Sequence, residues 1–153
     1  MLVSPNEKII HDNCETAIEY GKSFHKNLDY SETSITDVEE ILDYYSKELN
    51  PGWIKSFIRT ITRRKSTTNQ IQSMALIWGV YLGEVIRNHN LDRCNWYVEN
   101  VFGDGEVLHL QVGSVKAFPI DKVYKRLMNG PEDSILSFYD VIKYNVLEKD
   151  SHS

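Results

Sequence analysis

The sequence predicts an α+β fold, with helices packed against one small antiparallel sheet. Three observations lead there. Between Gln70 and His89 apolar residues recur at helical spacing on nearly every side of the helix. After Leu91 the period of the apolar residues changes from about 3.6 to about 2. Turn signals at Gly103-Asp104-Gly105 and Gly113-Ser114 then cut the alternating stretch into short strands. The 153 residues are 41% apolar and 25% charged, shares typical of a folded chain, so residues 1–153 read as a single α+β domain.

Residues 6–26 have the pattern of a first helix, with Ile10, Cys14, Ala17, Ile18, Gly21 and Phe24 along one stripe. Residues 28–34 are polar and turn-like. Thr36 followed three residues on by Glu39 is a capping-box signature. It starts a second helix that buries Val38, Ile41, Leu42, Tyr45 and Leu49 and turns Asp37, Glu40, Asp43, Tyr44 and Lys47 outward. Asn50-Pro51-Gly52 interrupts. A third helix over 53–64 buries Ile54, Phe57, Ile58 and Ile61 and shows Lys55, Arg59 and Arg63 in one row.

Thr67 with Gln70 offers another capping box, placing the central helix at about 68–89. Ile71, Met74, Ala75, Trp78, Leu82, Val85 and Ile86 make one face, and Leu76, Ile77, Val80 and Tyr81 a second. Such a helix has to be covered on several sides, which puts it in the core. Gly79 and Gly83, four apart, admit a close neighbour. The apolar run is too short to span a bilayer, and Glu84 and Arg87 follow it directly.

Strands are predicted at about 94–101, 106–112 and 115–119, forming a three-stranded meander whose second turn needs φ > 0 at Gly113. A short helix over 120–128 turns Val123, Leu127 and Met128 inward and Lys122, Lys125 and Arg126 outward. Asn129-Gly130-Pro131 stops it. Glu132-Asp133-Ser134 caps a last helix with Ile135, Tyr139, Ile142 and Val146 inward.

Composition narrows the function. The N-terminus has no basic segment followed by an apolar one, so no secretion signal is expected. Cys14 and Cys94 read as buried free thiols of a cytoplasmic protein. The net charge is −5, but seven acids against Lys47 alone fill residues 29–48, and five bases with no acid fill 55–65. Neighbouring helices can neutralise each other, or one patch faces a charged partner.

Catalytic signatures are missing. No two of the five histidines stand three or four apart, so no preformed helical metal site is expected, and no phosphate-cradling loop or dinucleotide fingerprint occurs. No metal or cofactor is expected. His11 and Cys14 stand three apart, yet Cys14 lies on an apolar stripe where thiols are inert. Glu99, Asp104, Glu106 and His109 share the hairpin, where carboxylates and a histidine suit acid–base work or simple solvation.

The row Lys55, Arg59, Arg63 with Arg64 and Lys65 has the clustering that phosphate contacts need. An acidic chain without interleaved aromatics makes a solvated face the plainer reading, so no nucleic acid and no membrane partner is expected. The acids Asp37, Glu40 and Asp43 around Tyr44, with Lys47, form the preferred protein-binding surface, and Glu99, Asp104 and Glu106 extend it as candidates.

Three stretches carry a family likeness: GVYLGEVIRNH from Gly79, VGSVKAFPIDKVYKRL from Val112, and NGPEDSILSFY from Asn129. The likeness extends over about the last half of the chain, residues 70–139. They resemble a family of small bacterial proteins that look like immunity proteins of contact-dependent and polymorphic toxin systems. The resemblance implies a cytoplasmic antidote without catalysis of its own, which occludes a cognate toxin domain, a basic nuclease being the favoured type. The alternative is a small hydrolase or nucleic-acid-binding enzyme using Glu99, Glu106 and His109, or the basic row.

Overall fold

A computed structural model describes residues 4–49, 64–100, 103 and 105–148, with the backbone alone for 64–68. In chain order these form α1 (Glu7–Ser23), α2 (Glu32–Leu49), α3 (Arg64–Asn88), β1 (Cys94–Glu99), β2 (Val107–Val112), β3 (Val115–Ala117), α4 (Pro119–Asn129) and α5 (Ile135–Asp140). A 3-10 turn, Pro131–Asp133, separates the last two helices, and α5 widens into a π-helical turn, Val141–Leu147. The architecture is α+β, as the sequence predicts.

Helix α3 is the core. Every residue from Trp78 to Ile86 is buried, and α1, α2, α4 and β1 all pack on it. Its glycines explain how they come so close. A methyl on Gly79 would lie 2.5 Å from the backbone Cα of Ile120 at the start of α4. One on Gly83 would collide with the indole of Trp96 on β1. Two absent side chains thus seat a helix and a strand against the same central helix.

The sheet is an antiparallel meander in the order β1-β2-β3, with Trp96 opposite Leu110 and Val112 opposite Val115. Gly113 has φ of 57°, the left-handed turn position that the sequence demanded. The strands are shorter than expected, ending at Glu99, beginning at Val107 and stopping at Ala117. Pro119 opens α4 rather than closing β3, because a ring-locked φ and a missing N–H suit the first helical position.

Several boundaries also move. Helix α2 begins at Glu32, so Thr36 lies inside it, and Leu28 is buried instead of belonging to a polar turn. Helix α3 starts at Arg64, which places Thr67 within the helix rather than at its cap. The expected helix over 53–64, with Lys55, Arg59 and Arg63, lies outside the described residues except for its last position.

A polar thread ties the α1–α2 connection to the core. Tyr81 on α3 accepts from the Tyr30 N–H at 2.9 Å and donates to Ser34 Oγ at 2.9 Å, while its ring stacks on Tyr30. At the far end, Ser134 accepts from the amides of Leu136 and Ser137 and caps α5 as expected. Arg93 donates to the Leu147 carbonyl at 2.7 Å. It thereby satisfies one of the acceptors that a helix terminus leaves open.

Candidate functional site

Helix α2 presents the predicted surface. Its inner stripe buries Val38, Ile41 and Leu42. The 3.6-residue period then turns Glu40, Tyr44 and Lys47 outward and leaves Asp37 and Asp43 at the edges. Tyr44 keeps 50% of its surface exposed. Its ring is nevertheless held, edge-on to Phe24 at 5.4 Å and to Tyr45 at 5.6 Å. Its hydroxyl pKa is raised by a hydrogen bond to Glu48 and by that carboxylate's charge.

The acids of this face are partly neutralised from within. Lys26 lies 2.6 Å from Glu40 and 3.5 Å from Asp37. Asp43 is bonded by Lys47 at 2.8 Å and by Arg126 at 2.7 Å, and these two hold its carboxyl below the usual range. The acidic helix thus finds its counter-ions on α4 and at the end of α1.

Arg126 corrects the sequence reading. Expected outside, it is only 2% exposed and crosses from α4 to Asp43 and, at 3.3 Å, to Glu39. Glu39 also accepts from the Ile135 amide at 3.4 Å. In place of a local capping box it joins α2, α4 and the start of α5. The sequence did hold a signal for this, since Arg126 stands three residues after buried Val123 and next to buried Leu127.

Among the described residues, the hairpin set is not assembled as an open acid–base group. Glu99 is paired with Lys116 across the sheet, which lowers its pKa, and Glu106 is exposed. Asp104 lies outside the described residues. His109, grouped by the sequence with the hairpin carboxylates, is 0% exposed, between Tyr97 at 6.4 Å and Phe118 at 5.8 Å, and neither ring nitrogen has a hydrogen-bond partner among the described residues. Aromatic rings on its side of the sheet enclose it.

A second feature had no forecast. A cleft of about 480 Å³ opens where α1 and α3 meet β1, and His11, Cys14, Glu84, Arg87, Trp96 and Tyr97 contribute to its lining. Burial, then the charge of Glu84, pushes the Cys14 thiol up to about 12, so at neutral pH it is protonated and a poor nucleophile. Glu84, which the sequence merely placed beyond the apolar run, is 9% exposed and held by Arg87 and by the Trp96 indole at 3.2 Å. Among the described residues no cluster of His, Cys, Asp and Glu suits a metal ion, and no helix is long and apolar enough to cross a membrane.

Compared with known proteins, the chain matches no family, no curated protein and no solved structure.

Proposed function

We propose that the chain is a non-catalytic binding protein, a cytoplasmic immunity factor that covers a cognate toxin domain through the outer face of α2. The observation that carries this reading is Tyr44, half exposed yet fixed by Phe24 and Tyr45, beside the exposed carboxylate of Glu40. A ring already held in place loses little rotamer freedom on binding, and a large aromatic side chain is the usual anchor of an interface. The surrounding acids favour a basic partner such as a nuclease, whose phosphate-binding groove an acidic face can fill.

The test is to purify the protein with the product of the gene just upstream and to ask whether that product is a toxin domain that this protein binds. The purified pair is expected to form a one-to-one complex whose association slows as salt rises. Tyr44→Ala should weaken it by about 2 kcal/mol or more, as an interface hot spot does. Glu40→Lys should chiefly lower the on-rate. A protein that neither binds that domain nor protects cells from it would sink the reading.

A further inference from the structure

The cleft between α1, α3 and β1 has a feature that partner binding by α2 does not use. Glu84 Oε2 accepts from Arg87 Nε at 2.5 Å and Oε1 from Nη2 at 3.2 Å, so Glu84 occupies one edge of the guanidinium. A guanidinium carries five N–H groups on two usable edges. The other edge, formed by Nη1 and the second N–H of Nη2, meets no acceptor among the described residues, and the Arg87 side chain is 29% exposed. Glu84 is itself fixed by the indole of Trp96. Arg87, part of the cleft lining, thus keeps one edge of its donor fork without an acceptor among the described residues.

The charges around the fork decide what it takes. Glu84 already neutralises Arg87. Glu7, exposed at the rim, lies near enough to add to the raised pKa of Arg87, after the larger effect of Glu84. Glu7, Glu84 and Arg87 together carry one net negative charge, which disfavours a dianion such as phosphate. A carboxylate fits the open fork with two parallel hydrogen bonds. An ammonium group on the same molecule would answer Glu7. Pro5, Ile10 and Tyr97 supply apolar wall, and the cleft falls within the size range of small-molecule sites.

We propose that this cleft binds a zwitterionic ligand of the α-amino-acid class, its carboxylate on the free edge of Arg87 and its ammonium toward Glu7. The proposal stands independently of the α2 surface.

The ¹⁵N-labelled protein should be titrated with L-phenylalanine, L-leucine, L-lysine and L-glutamate, and in parallel with phenylacetate, phenethylamine and inorganic phosphate. At least one amino acid is expected to shift the indole signal of Trp96 and the amides around Arg87, and to bind more tightly than the three half-ligands. Arg87→Lys keeps the charge and loses the fork, so it should weaken binding about tenfold, the loss of one charge-assisted hydrogen bond. Glu7→Gln, an exposed change that leaves folding alone, should weaken amino-acid binding and leave phenylacetate unaffected. No binding by any amino acid, tighter binding of phosphate, or affinities unchanged in Glu7→Gln would each overturn the proposal.

Discussion

Arg126 shows most directly how one residue is fixed by its surroundings. A buried guanidinium needs counter-charge, and Glu39 and Asp43 supply it from a helix more than eighty residues away in the chain. One of its nitrogens, Nη1, is buried with no hydrogen-bond partner among the described residues. The group therefore bears the cost of desolvation without full recovery. Removing it leaves Glu39 and Asp43, one turn apart on α2, without the charge that ties them to α4. Arg126→Met is expected to cost about 3 kcal/mol in urea unfolding, at the lower end for a broken buried pair because Asp43 keeps some contact with water. Adding Glu39→Gln and Asp43→Asn should return most of that loss. If the single change is neutral, the cluster does not hold α2 to α4.

At the scale of elements, the decisive feature is the close seating of α4 and β1 on α3. Helix propensity alone favours alanine over glycine by about 1 kcal/mol. Sterics oppose this at both positions, since the added methyl meets backbone at Ile120 and a buried indole at Trp96. Gly79→Ala and Gly83→Ala are each expected to destabilise by about 1–3 kcal/mol, the range for overpacked cores, as read from denaturant midpoints. A gain in stability at either site would mean that the elements are not in such close contact. The sequence exposed this part of the fold well, because the four-residue spacing of small residues lies on a helix that is apolar on all sides. It was less informative where an interaction spans the chain. Glu39 matched a local cap by spacing, yet distant Arg126 and Ile135 claim it. Arg126 lies on the inward face by position and was set outside for its charge. His109 and the cleft around Glu84 depend on which rings and helices meet in space, and no local pattern encodes that.

For the whole molecule, buried proton-bearing groups set the alkaline limit. Burial pushes Cys14 up to about 12 and Cys94 to about 11, and raises Tyr30, Tyr81 and Tyr139 as well. The unfolded chain releases these protons nearer the ordinary values, about 8.5 for cysteine and 10 for tyrosine. Between those values and the raised ones the unfolded state binds fewer protons, so stability falls as pH rises. It is fully present below about pH 8 and is lost progressively toward pH 12. Urea midpoints are expected to decline steadily between pH 8 and pH 11, with both thiols slow toward maleimide until the chain unfolds. A flat profile, or fast labelling of the native protein at neutral pH, would contradict this.

Helix α2 has two obligations that run lengthwise along it. Glu39 and Asp43 are committed to fastening the C-terminal helices, whereas Glu40 and Tyr44 carry no such duty. Substitution of the second pair therefore leaves the Arg126 cluster intact and gives up only the contacts with Lys26 and Phe24, so the two rows can change independently.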